Sequence, residues 1–195
     1  MAADLAPRRE ELRREELTEG LIDLFLDQGF LAFSVEQLAA HLRCSKSTLY
    51  SIAPSKEQIV TSVVRAFFRR ATERVEARTT DAGTPADRIG AYLEAISVEL
   101  KPGSPAFFAD LDRFAPAMEI YRRNTEIAAD RVKELMSLTP DSRSRLNVDF
   151  VGAVASLTME YIHRGQIGAV TGLDDSAAYR ALADLIVAGM KSPTT

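Results

Sequence analysis

Apolar residues recur at helical spacing along almost the whole chain, and strand-like alternation is nearly absent. Leu17, Leu21, Leu24 and Phe25 form the inner stripe of a first helix that runs to about Gln28, where Gly29 is placed to end it as a C-cap. The periods then become very short. Ser34 with Gln37 is a capping-box signature, and Leu38, Ala39 and Leu42 follow at helical spacing. Ser45 caps a second short helix in which Leu49 faces inward while Lys46, Ser47 and Thr48 are left outside. Pro54-Ser55 breaks the chain, and Ser55 with Gln58 opens a long helix to about Arg78, with Ile59, Val63 and Phe67 on one face. Thr79 to Gly83 reads as a loop.

Thr84-Pro85 and Ser104-Pro105 are cap-plus-proline helix starts. Ile89, Leu93, Ile96 and Leu100 line the first of these helices, which Lys101-Pro102-Gly103 stops. The second carries Phe107, Phe108 and Leu111, and Pro116 predicts a break between about Arg113 and Ala117. Met118, Tyr121, Ala128, Val132 and Leu135 mark a longer helix ended by Thr139-Pro140. From Ser144 to about Ala169 two apolar stripes run side by side, one of Phe150, Val154, Leu157 and Tyr161, the other of Val151, Ala155, Thr158 and Ile162. Such a helix is buried on two faces. Tyr179, Leu182, Leu185 and Ile186 line a last helix from about Ser176 to Met190. The fold class is all-α.

The Ser34–Tyr50 stretch is a helix-turn-helix pattern. A helix as short as its second one is unstable alone and must be held by a scaffold, and a held, polar, short helix suits the DNA major groove. Its flanks strengthen the pattern. Upstream lie Leu17-Thr-Glu-Gly-Leu-Ile-Asp-Leu-Phe25, Gln28-Gly29-Phe30 and Phe33-Ser34-Val35; downstream, Thr48-Leu49-Tyr50 leads to Pro54-Ser55-Lys56-Glu57. From about Arg13 to about Val64 the chain resembles the TetR family of bacterial transcriptional repressors. It departs from the family pattern at the turn, where Arg43-Cys44 replaces the usual Gly-Val, at Ser47, and at Ser51, Ile52 and Ala53. Arg43 either takes a left-handed backbone at a small cost, or the turn has another form.

Composition narrows the function. The chain has 195 residues, 46% hydrophobic, enough for two small domains or one large one with a proper core. A formal net charge of −4 excludes a wholly basic nucleic-acid binder, so DNA contact must come from a local patch. One cysteine excludes an internal disulfide and fits a reducing compartment. No run of about 18 apolar residues spans a membrane, and no signal peptide opens the chain, so the cytoplasm is the expected location. His41 and His163 have no Cys or acid at metal spacing, no cofactor motif occurs, and no nucleophile elbow or phosphate loop points to an enzyme.

The resemblance implies a DNA-binding domain over residues 8–62 and a ligand-binding and dimerisation domain over 63–195. The expected DNA-contacting residues are Ser34, Arg43, Ser45, Lys46, Ser47, Thr48, Tyr50, Ser51 and Lys56. Lys46 can donate to guanine or phosphate. Tyr50 can reach phosphate or brace the unit, and Lys56 can serve a phosphate at its helix start or pack its stem over the unit. Arg8, Arg9, Arg13 and Arg14 interleave with Glu10, Glu11, Glu15 and Glu16, which favours local pairing over a basic arm. Cys44 reads as a packed thiol. The resemblance also implies a small-molecule cavity, for which Tyr92, Phe107, Phe108, Phe114, Met118, Tyr121, Met159 and His163 are candidates; clusters of this type also form ordinary cores, and His163 reads either as a satisfied core histidine or as a polar point in a cavity. Phe150, Val154, Leu157, Tyr161, Tyr179, Leu182 and Ile186 are the expected homodimer interface. The resulting function is a homodimeric repressor on double-stranded, inverted-repeat operator DNA, released by an effector. The alternative is a helical ligand-binding or interaction protein with degenerate DNA-binding capacity.

Overall fold

A computed structural model describes residues 5–80, 83–138 and 147–190, with side chains from Glu11 onward. The side chains of Arg8 and Arg9, the helix stop at Thr139-Pro140 and the helix start at Ser144 lie outside the described residues, as does part of the Thr79–Gly83 loop. Among the described residues there are ten helices and no strand: α1 (Leu5–Gln28), α2 (Val35–His41), α3 (Lys46–Tyr50), α4 (Lys56–Thr79), α5 (Pro85–Leu100), α6 (Pro105–Arg113), α7 (Ala115–Ser137), α8 (Val148–His163), α9 (Gln166–Thr171) and α10 (Asp175–Met190). No helix among them is long and apolar enough to cross a membrane.

The chain forms two compact units, whose divisions fall inside α4, after Arg69, between α5 and α6, after Pro102, and inside α7, after Ile120. Residues 103–120 belong to the first unit, so it is larger than the expected 8–62 domain. The reason is α6. Gly29, at φ +75°, ends α1 in the left-handed region. The next two amides, Phe30 and Leu31, donate to Asp110 Oδ2 on α6 at 2.6 and 2.8 Å. Ser104 N–H donates to the Leu26 carbonyl at 2.7 Å. A Cβ at position 29 would lie 2.6 Å from Asp110 Oδ2, so glycine permits this approach as well as the turn. Around it Phe30 packs on Phe25, Phe107 and Phe114, and Phe107 on Phe67, with centroids 5.5–6.2 Å apart. Phe107 and Phe114 therefore sit in the aromatic core of the first unit rather than in the second domain, where the sequence reading put them.

In the second unit α10 packs on α5 and α8, and Ile89, Leu93, Val132, Ala155 and Tyr179 are fully buried in its core. Glu99, buried on α5, is held by Arg74 at 3.5 Å and Arg78 at 3.3 Å from α4. Thr84 and Asp87 close a capping box ahead of Pro85, as the cap-plus-proline signal predicts. The expected continuous helix to about Ala169 is instead two. Asn147 caps α8, and Gly165, at φ +68°, ends it and begins α9. A left-handed residue cannot continue the helical hydrogen bonding, so the expected helix is cut there, after both stripes have ended.

Asp110→Ala leaves two backbone N–H groups at the end of α1 without their acceptor. It should lower stability by about 1–3 kcal/mol in urea unfolding, the cost of an unmet buried donor; an unchanged midpoint would show that the carboxylate does not hold the loop.

Candidate nucleic-acid interface

Short helices need both ends capped, and α2 and α3 have the required groups. Ser34 Oγ accepts from Gln37 N–H at 3.2 Å, and Ser34 N–H donates to Gln37 Oε1 at 2.7 Å, a complete capping box. At the other end Cys44 N–H reaches the Ala39 carbonyl at 2.9 Å and Arg43 N–H the Ala40 carbonyl at 3.1 Å. These are the two bonds of a Schellman motif, in which Arg43 occupies the position that favours glycine. Its φ is +51°, so the turn keeps the left-handed form despite the side chain. Ser45 then caps α3, accepting from Thr48 N–H at 3.1 Å.

Leu49 is fully buried and turns α3 into the unit, while Lys46, Ser47 and Tyr50 are exposed. Ser45 Oγ lies 2.7 Å from both Ser47 Oγ and Thr48 Oγ1, and Ser51 Oγ donates to the Thr48 carbonyl at 2.6 Å. Lys46 Nζ is 2.9 Å from Glu36 Oε1 on α2. Through that hydrogen bond above all, and through the backbone N–H of Glu36 and the Ser34 hydroxyl, the Glu36 carboxyl is held down at about 2. The same bond raises the Lys46 ammonium. Lys56 Nζ donates to the Leu31 carbonyl at 2.9 Å, which fixes its stem across the unit. Arg14 donates to the Ile52 carbonyl at 3.0 Å and so ties α1 to the residue that follows α3. Cys44 is half-buried, on an open groove of about 520 Å³ beside Leu17, Arg13 and Arg43. Burial pushes its thiol up, opposite to the shift of a reactive cysteine.

Thus Ser34, Arg43, Ser45, Lys46, Ser47, Thr48, Tyr50 and Ser51 gather around α2, the turn and α3, whereas Lys56 is engaged with the backbone below them. Glu36 and Asp110 were not singled out from the sequence, and Arg14, considered there for local pairing or a basic arm, binds the Ile52 carbonyl instead. Glu36 and Lys46 are ten positions apart on different helices, and Asp110 is 79 and 80 positions from its partners, separations to which helical periodicity is blind.

The remaining candidates separate by unit. Tyr92, Tyr121, Met159 and His163 are buried in the second unit, while Phe108 and Met118 are half-buried in the first. His163 Nε2 lies 2.6 Å from the Tyr179 hydroxyl, with the Tyr121 ring edge-on to the imidazole at 5.8 Å. The imidazole is thus buried with its Nε2 on the Tyr179 hydroxyl, and burial pushes it down to about 4. The expected interface also divides. Phe150, Leu157 and Tyr161 are 67%, 57% and 46% exposed on α8, with Val154 half-buried beside them. Tyr179, Leu182 and Ile186 are instead buried, because α10 turns that stripe onto α5. Their surface is used within the chain, and Leu185, 67% exposed, marks the outer side of α10.

Residues 17–63 match the family profile described as bacterial regulatory proteins, tetR family. The uncharacterized HTH-type transcriptional regulator Rv1255c of Mycobacterium tuberculosis is 28% identical over 141 residues, covering 70% of this chain and 68% of its own. AibR, solved in complex with isovaleryl coenzyme A and operator DNA, is similar with a TM-score of 0.63 at 19% identity, over 89% of this chain and 97% of AibR. SCO4454, a TetR-family transcriptional regulator from Streptomyces coelicolor, is similar with a TM-score of 0.66 at 15% identity, over 97% and 92% of the two chains. At these identities the solved structures share the fold.

The His163 imidazole provides a pH test. The unfolded chain takes up its proton near the ordinary 6.5, the folded chain only near 4. Protons therefore favour unfolding, and this contribution to stability is complete above about pH 6.5 and lost as pH falls toward 4, by at most about 3 kcal/mol. Denaturant unfolding across that window should show a shallower pH dependence for His163→Gln than for wild type; identical slopes would contradict a buried neutral imidazole.

Proposed function

We propose that this chain, which belongs to the TetR family of DNA-binding transcriptional regulators, acts as a homodimeric repressor that a small-molecule effector releases from an inverted-repeat operator. The observation that carries the reading is the capped α2–turn–α3 unit, with Leu49 buried and Lys46, Ser47 and Tyr50 turned outward. A polar five-residue helix fixed from behind fits a major groove, and its hydroxyls and single ammonium suit a mixture of base and phosphate contacts. The exposed Phe150, Leu157 and Tyr161 of α8 support self-association, because so much apolar surface on one helix face favours a partner, and a second copy brings the same face. Leu185 adds to it from α10, in place of the buried Tyr179, Leu182 and Ile186.

In this reading residues 8–62 carry the DNA contacts and the later helices bind the effector. Effector binding favours a dimer whose two reading helices are wrongly spaced for the operator, a shift between states that differ in DNA affinity. AibR was solved with both isovaleryl coenzyme A and operator DNA, which makes short acyl-CoA thioesters the first effector probes.

Selection from a random duplex pool should return an inverted repeat with half-sites about one helical turn, roughly 34–36 Å, apart. Lys46→Ala should weaken binding to it by about 1–3 kcal/mol if the ammonium reads a base edge. Leu157→Glu should yield a monomer in sedimentation that loses the operator, since one short helix offers few contacts. Recovery of asymmetric single sites, or a wild-type monomer that binds a palindrome tightly, would overturn the dimeric repressor.

A further inference from the structure

The partner of Lys46 is an acid on the surface expected to face DNA. Glu36 stands in the first turn of α2, with its Oε1 2.9 Å from Lys46 Nζ, and the two side chains are 63% and 55% exposed. Lys46 is the single cation of α3. The hydroxyls of Ser45, Ser47 and Thr48 are bonded to one another beside it. The reading helix thus presents a donor and an acceptor side by side rather than a lone ammonium. Phosphate oxygens only accept, so a carboxylate at this point opposes phosphate contact and offsets much of the attraction of Lys46. The major-groove edge of a G·C pair is different: guanine O6 and N7 accept, and cytosine N4 donates. An ammonium has three donors and a carboxylate several lone pairs, so both can meet that edge while remaining bonded to each other.

We propose that Glu36 is a specificity-determining residue, accepting from a cytosine amino group while Lys46 donates to guanine, and repelling sites where no amine meets it. The proposal rests on the reading of α3 as the DNA-facing helix.

Both side chains are exposed, so neither substitution opens a buried gap. The test selects operators from a random duplex pool with wild type, Glu36→Ala, Glu36→Gln and Lys46→Ala, and measures affinity for the selected operator and for a scrambled duplex over a range of salt. Wild type should require a G·C pair at one position of each half-site. Glu36→Ala should lose that preference by about tenfold, the discrimination of one good base contact. Its affinity for the scrambled duplex should rise, with a salt slope steeper by about one. Glu36→Gln should show the same rise in scrambled-duplex affinity, because it removes the charge and keeps the acceptor oxygen. If Lys46→Ala weakens the operator complex while both Glu36 variants keep wild-type base preference and wild-type affinity for the scrambled duplex, the proposal is overturned and the DNA-facing reading of α3 stands. If Lys46→Ala binds the operator as wild type does, that reading fails and the proposal with it.

Discussion

A helix of five residues cannot hold its own shape, and the first unit is organised around that constraint. α3 makes too few internal hydrogen bonds to offset the conformational entropy of ordering it. Its fixity comes from outside. Leu49 is inserted into the unit, the Ile52 carbonyl just beyond α3 takes a hydrogen bond from Arg14, and Ser45 and the Arg43 turn set the direction in which it starts. Because packing from behind holds the helix, its outward side chains can be chosen for hydrogen bonding rather than for helix propensity. Ser47, Thr48 and Tyr50 are poor helix formers and useful polar groups.

The same logic explains why α6 belongs with the first unit. Just past the end of α1 the Phe30 and Leu31 N–H groups lie outside any helix, and Asp110 takes both. Phe30 follows them into the ring cluster of Phe25, Phe107 and Phe114, so the aromatic richness of residues 107–114 has a packing cause. In the second unit the His163–Tyr179 pair is likewise a buried polar contact within a core. The stripe of Phe150, Leu157 and Tyr161 is of another kind, since it is exposed among the described residues. That contrast separates residues that build the unit from apolar residues that do not.

Local signals were legible in the sequence because they act over three or four residues. The Ser34–Gln37 box, the Ser45 cap, the Thr84-Pro85 and Ser104-Pro105 starts and the Gly29 stop all stand where the chain spells them. Arg43 was legible as an alternative, and the structure resolves it to the left-handed form. Long-range pairings were not. The Glu36–Lys46 pair and the Asp110 clamp join residues whose sequence positions carry no common period. The faces of α10 misled for a related reason: periodicity shows that Tyr179, Leu182 and Ile186 share a stripe, but not whether α5 or a second copy covers it. At Gly165 the expected helix ran past a backbone break that one glycine imposes.

The most direct test of a short helix held from behind is backbone hydrogen exchange on the full, DNA-free chain. If packing of Leu49 and the Arg14 bond hold α3, the amides of Leu49 and Ile52 should open with free energies like those of Leu21 and Phe25 in the core of α1. Exchange of Leu49 and Ile52 at rates near those of an open chain, with α1 still protected, would contradict a preformed α3.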